Sequence, residues 1–197
     1  IFTNMEPIVL RFAVNNQFSD DELFDFCVAN EGLRIERNRK NELVIMSPSG
    51  SLTSNILMRI NRELLNWLDE HPDAGYLFES SAGFKLPDGS ILSADAAFVE
   101  NKRWESLTRI QQEKFAPVCP DFVIEVRLPS DSIDQLKQKM QDWISNGCQL
   151  GWLIDPIHKH AWMYTKQGVV KAASTFDDFL TGMEVLPGLK LELKLVV

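Results

Sequence analysis

A carboxylate in the middle of an apolar strand is costly unless it is paired or coordinates a cation. Glu125 stands in such a place, inside Phe122-Val123-Ile124-Glu125-Val126. Side chains along a strand alternate between faces, so Arg127 shares the Glu125 face about 6.7 Å further on, two rises of roughly 3.3 Å. Asp121 also belongs to this stretch, but four strand residues put it about 13 Å from Glu125, too far for one ion to bridge both. Asp95 is the better partner, because it opens a second apolar run, Asp95-Ala96-Ala97-Phe98-Val99. Neighbouring strands lie about 4.8 Å apart, so two facing acids could share a hard cation through oxygen ligands. That pairing requires the two strands to be neighbours. From the residues alone, a buried Glu125–Arg127 ion pair and a strand-opening turn role for Asp95 stay open beside the metal reading.

Other chemistries find less support. His158 and His160 could form an HxH metal pair but lack a third nearby ligand. With His71 as the only other histidine and no G-x-S-x-G, a Ser-His-Asp hydrolase is disfavoured. Ser47-Pro48-Ser49-Gly50-Ser51 resembles a phosphate loop but lacks its Gly-Lys. Cys27, Cys119 and Cys148 are odd in number and widely spaced, which argues against a disulfide framework or zinc knuckle. Twenty Lys and Arg against 28 Asp and Glu give a net charge of −8, excluding nonspecific coating of nucleic acid. Local basic clusters partly offset it: Arg34, Arg37, Arg39 and Lys40, and further on Lys137 with Lys139. No apolar run approaches the roughly 18 residues of a membrane span, and the first residues carry no leader pattern. We expect a soluble, cytoplasmic protein, one domain over residues 1–197.

The elements that would carry these residues follow from pattern. Ser19-Asp20-Asp21-Glu22 is a capping box that predicts a helix ending near Gly32. Leu33 to Glu36 and Leu43 to Met46, joined by a polar turn, read as a hairpin with Glu36 pointing away from Ile35. Leu52 to Leu68 has helical apolar spacing. Short strands are predicted around Tyr76 to Glu79 and Phe84 to Leu86, then Asp95 to Val99, a surface helical excursion over Asn101 to Glu113, and Phe122 to Val126. Ser132, with Gln135 three residues on, caps a helix that turns Leu136, Met140, Trp143 and Ile144 inward and ends near Gly147. Leu150 to Ile154, Ala161 to Tyr164 and Val169 to Lys171 read as strands, before the terminal alternation Leu189, Leu191, Leu193. The order predicts an α/β or α+β domain with a mixed central sheet flanked by helices.

The segments Ser93 to Val99, Cys119-Pro120-Asp121 through Pro129-Ser130-Asp131, Lys139, and Gly151-Trp152-Leu153-Ile154-Asp155-Pro156 together resemble the Uma-two family. The resemblance runs from about Asp20 to Leu193 and includes Ile35-Glu36, Met46-Ser47-Pro48 and Leu186-Pro187-Gly188-Leu189. It implies a restriction-endonuclease-like core of the PD-(D/E)XK superfamily and an endonuclease acting on DNA. Residue by residue, it implies that Asp95 is the motif aspartate and Glu125 the second acid, both holding Mg²⁺ or Mn²⁺. The same resemblance implies that Lys139 is the motif lysine, supplied by the following helix, with Arg127 in the usual lysine slot and Glu36 as a further carboxylate. Three positions depart from the family pattern: Ala94 replaces a Pro, Leu128 a Ser and Trp143 a Tyr.

Such a set could support metal-assisted phosphodiester hydrolysis, with Lys139 orienting water or stabilising the pentavalent charge and Arg127 suited to phosphate contact. By superfamily analogy a homodimer is expected. The competing expectation, favoured by the acidic charge, is a noncatalytic module of the same fold that binds nucleic acid or protein.

Overall fold

A computed structural model of the chain describes residues 8–13 and 17–196. Its elements begin β1 (Ile8–Leu10), α1 (Asp20–Ala29), β2 (Arg34–Arg37), β3 (Leu43–Met46), α2 (Ser51–Glu70), β4 (Gly75–Glu79), β5 (Phe84–Lys85), β6 (Ile91–Leu92) and β7 (Ala96–Glu100). They continue with α3 (Asn101–Glu105), α4 (Arg109–Glu113), β8 (Phe122–Val126), α5 (Ile133–Ser145), β9 (Leu150–Asp155), β10 (His160–Thr165), β11 (Gly168–Ala173), β12 (Phe179–Thr181) and β13 (Lys190–Glu192), before a closing 3₁₀ turn, Leu193–Val196.

Six strands form a mixed sheet in the order β11-β10-β9-β8-β7-β4, parallel only between β8 and β9. A parallel pair needs a long crossover, and α5 supplies it. A second sheet, β1-β3-β2-β6-β5, is antiparallel throughout. The class is therefore the expected one, a mixed central sheet flanked by helices.

Strand alternation decides what each face meets. Ala96, Phe98, Phe122, Ile124 and Trp152 pack with Ile56, Ile60, Leu64 and Trp67 of α2. The intervening Ala97, Val99, Val123 and Leu153 pack with Leu136, Met140 and Trp143 of α5. Asp95 and Glu125 fall in the second set by parity, so both acids are turned toward α5. On α5, Leu136, Lys139, Met140 and Trp143 lie at i, i+3, i+4 and i+7, one face of a helix. The helix seats closely because residue 151 is Gly: a Cβ there would overlap Met140 Cε. A third, smaller core of Leu23, Ile35, Leu43 and Ile91 joins α1 to the hairpin sheet.

Several local expectations are corrected. The Ser19 capping box forms, but α1 ends at Ala29, short of Gly32. Ser132 occupies the N-cap of α5 without making a side-chain cap bond, so α5 is held by packing and crossover geometry rather than by its cap. The Asn101 to Glu113 excursion divides into α3 and α4, because Thr108 starts a new helix with its own capping box. β1, the short β6 and β12 lie outside the predicted strands; they are two or three residues long, too brief for a period to register. Among the described residues no helix is long and apolar enough to cross a membrane.

Candidate active site

The β7–β8 register pairs Ala96 with Ile124, which sets Asp95 opposite Glu125 one step along the ladder. The pairing continues through Asp95, whose N–H donates to Ile124 O at 3.0 Å. Its Oδ2 accepts from Val126 N at 2.8 Å, fixing the carboxylate beside the end of β8. Glu125 is 4% exposed. Its Oε1 accepts from Trp143 Nε1 at 3.0 Å and meets Lys139 Nζ at 3.0 Å. Lys139 and Trp143 are one helical turn apart on α5, so one face of that helix supplies both partners. Lys139 Nζ also donates to Glu36 Oε1 at 2.8 Å and to Ser93 O at 2.7 Å. Glu36 Oε1 accepts from Ser93 N as well, at 3.1 Å.

The electrostatics follow from burial. Burial pushes the Glu125 carboxyl up to about 7, with Asp95 and Glu36 adding like-charge repulsion while Lys139 opposes the shift. Burial raises Asp95 too, against the Val126 hydrogen bond and the nearby Lys139 and Arg34. Burial alone would lower Lys139, but the carboxylates of Glu125 and Glu36 outweigh it and hold the ammonium charged. Three acids thus face two cations, Lys139 and Arg34, in a buried setting.

The structure brings together Asp95, Glu125, Lys139 and Glu36. Glu36 does not point into solvent as an ordinary hairpin acid would. Ile35, Glu36 and Arg37 are all buried, because one face of β2 packs on α1 while the other meets Ser93 and α5. Arg127 goes elsewhere: its Nη1 meets Asp155 Oδ2 at 2.8 Å and His158 Nδ1 at 2.8 Å, and its Nε donates to Asp131 O at 3.2 Å. Glu125 takes its cation from Lys139 instead. The basic hairpin cluster also disperses. Arg37 is buried on Asp20, Phe18 O and Gly89 O, Arg34 lies 3.6 Å from Asp95 Oδ1, and Lys137 sits over Trp162. Asp121 is remote from Glu125 in role, serving Arg103, Gln149 and the Glu100 amide.

Sequence reasoning missed three participants. Trp143 was read as core, though a buried indole N–H needs an acceptor. Ser93 contributes through its backbone, which no side-chain pattern could reveal. Arg34 was grouped with its neighbours in sequence rather than with Asp95.

Two cavities meet at Glu36 and Met46. One, of about 320 Å³, runs along α5 past Lys139 and Asp131. The other, of about 340 Å³, lies on the α1 side past Arg34 and Ser93. Among the described residues no three His, Cys, Asp or Glu side chains form a metal cage. Asp95 and Glu125 are the pair that could hold a cation, and their donors are all oxygen.

A family model described as Uma2, "putative restriction endonuclease", matches residues 20–194. Among solved structures the chain is similar to the crystal structure of a "putative nuclease belonging to DUF820" from Anabaena variabilis ATCC 29413, at 19% identity over 82% of this chain and 88% of that one, with a TM-score of 0.68. That likeness shows a shared fold. The DrdV–DNA complex matches at 12% identity over 62% of this chain and 12% of the other, with a TM-score of 0.34, too slight to inform the fold. No curated protein matches the chain.

Proposed function

The chain belongs to the Uma2 family, and from that premise we propose that it is a Mg²⁺- or Mn²⁺-dependent endonuclease hydrolysing phosphodiester bonds in DNA. The observation that carries this reading is the facing pair Asp95 and Glu125 with Lys139 on the Glu125 carboxylate. The all-oxygen donor set fits a hard cation, and Mg²⁺ commonly takes only one or two carboxylates while keeping waters and substrate phosphates as its other ligands. Bound there, the ion would activate water and screen the scissile phosphate.

The chain's own residues divide the remaining work. Asp95 and Glu125 hold the cation. Lys139 orients the attacking water or stabilises charge developing on the phosphoryl group, exchanging one of its three present acceptors to do so. Glu36 positions Lys139. Arg127, bound to Asp131 and Asp155, holds the turn that leads from β8 into α5. Residues 20–194 act as one domain, and the active form is a homodimer, which sedimentation would test.

One observation favours a second reading, a noncatalytic module of the same fold: all three Lys139 donors are engaged within the protein. The two readings separate in one assay. Plasmid and oligonucleotide cleavage at low salt with Mg²⁺ or Mn²⁺ is expected for the wild type and lost in Asp95→Ala, Glu125→Ala and Lys139→Ala. A wild type that neither cleaves nor binds Mn²⁺ in calorimetry would leave the module.

A further inference from the structure

We infer that Arg34 contacts the backbone phosphate of the nucleic acid, on the α1 side of the acidic pair, an inference that rests on the nuclease reading above. Arg34 stands two residues before Glu36 on β2, so strand alternation puts both side chains on the face turned toward Ser93 and Asp95. Its Nη2 lies 3.6 Å from Asp95 Oδ1, beyond hydrogen-bond distance. Among the described residues its guanidinium makes no hydrogen bond, and the side chain is 33% exposed. Arg37 and Arg127, the other guanidiniums near the site, are occupied by acids and carbonyls. A planar fork of donors ion-paired with Asp95 but without a hydrogen-bond partner matches the geometry of a phosphodiester oxygen pair.

The adjoining cavity has the lining such a ligand needs. Arg34, Ser80, Ser81 and Ser93 border its 340 Å³, with Glu36 and Glu31 at its walls. The Ser93 hydroxyl donates to nothing among the described residues. The acids oppose an anion entering alone, so this contact forms when a divalent cation neutralises Asp95 and Glu125. Arg34 then acts with opposite sign on the two ligands. Its charge near Asp95 disfavours the metal ion and favours the phosphate.

The test is binding of a fluorescent single-stranded octanucleotide to the full chain in Ca²⁺, across a salt series, with Mn²⁺ affinity measured separately by calorimetry. Arg34→Ala is expected to weaken the oligonucleotide about tenfold, the scale of a lost hydrogen bond to a charged group. It should flatten the slope of log affinity against log salt by about 0.7, one phosphate contact on a single strand. Mn²⁺ affinity should be unchanged or higher. Arg34→Lys should recover part of the loss, while Arg39→Ala, which removes the same charge from the exposed hairpin turn, should leave affinity and slope as they are. Wild-type affinity in Arg34→Ala, an equal loss in Arg39→Ala, or no binding by the wild type would overturn the assignment. Arg34-dependent binding without cleavage in Mg²⁺ or Mn²⁺ would sink the nuclease reading and leave this contact standing. Cleavage by wild type and Arg34→Ala at equal rates and affinities would do the reverse.

Discussion

Keeping Glu125 buried beside Asp95 and Glu36 has a thermodynamic signature. Its carboxyl is pushed up to about 7 by burial, from an ordinary 4.5. Between those values the folded chain holds a proton that the unfolded chain has shed, so this group lowers stability as pH rises through the window. Lys139, raised by the same carboxylates, stays charged in both states there and adds no slope. Asp20, Asp88 and Asp155 are lowered, so their contributions are lost only at more acid pH. Urea unfolding is expected to give about 1–2 kcal/mol less stability at pH 7.5 than at pH 5.5, a difference that Glu125→Gln shrinks, leaving what Asp95 and Asp131, also raised by burial, contribute with the same sign. Asp95→Asn keeps an acceptor for the Val126 amide and removes a like charge. We expect a melting temperature about 2–4 °C higher at pH 8, near 1 kcal/mol, with cleavage down about 100-fold or more. A melting temperature below wild type would show that the carboxylate is structural. Glu125 and Asp95 were legible because an acid in an apolar strand is conspicuous in one dimension. Glu36 was legible only through the family resemblance and Arg34 not at all, since alternation shows which face a residue takes and says nothing of what another sheet later brings against it.

At the scale of elements, α5 sets the site. Its inward stripe was readable from the Leu136, Met140 and Trp143 spacing, and Lys139 falls on that stripe by the same count. What could not be read was how close the helix lies. That depends on Gly151 and Met140, which lie on different elements and meet only when β9 pairs alongside β8 beneath α5. Gly151→Ala is expected to cost about 1–3 kcal/mol through overpacking. Met140→Ala alone should cost about 2–5 kcal/mol through its cavity. The double variant should be less destabilised than the sum of the two, because each change relieves the other. Additive values in denaturant unfolding would mean that the helix shifts freely and does not fix Lys139. β6 escaped sequence reading for a related reason: it is two residues long and is held only by pairing with β2 on one side and β5 on the other.

Over the whole molecule, a charge of −8 opposes a polyanion at long range, while the proposed contacts attract it at short range. Salt screens the first over about 10 Å at 0.1 M. The association rate with DNA is therefore expected to rise a few-fold between about 20 and 100 mM salt in stopped-flow measurements; a rate that falls from the lowest salt would mean that a local positive surface outweighs the net charge in steering. The ammonium of Lys139 has one more consequence. It joins Glu36 of the hairpin sheet to Glu125 of the large sheet, with Ser93 at the crossing between them. If turnover draws that ammonium toward substrate, a rivet between the sheets is withdrawn at the same moment. Amide exchange at Ile35, Glu36 and Arg37 should then quicken when cation and oligonucleotide are bound, as it should permanently in Lys139→Met, while the amides of β8 stay protected. Local opening and turnover would share one fastening, so a variant that clamps the hairpin harder should be both sturdier and slower.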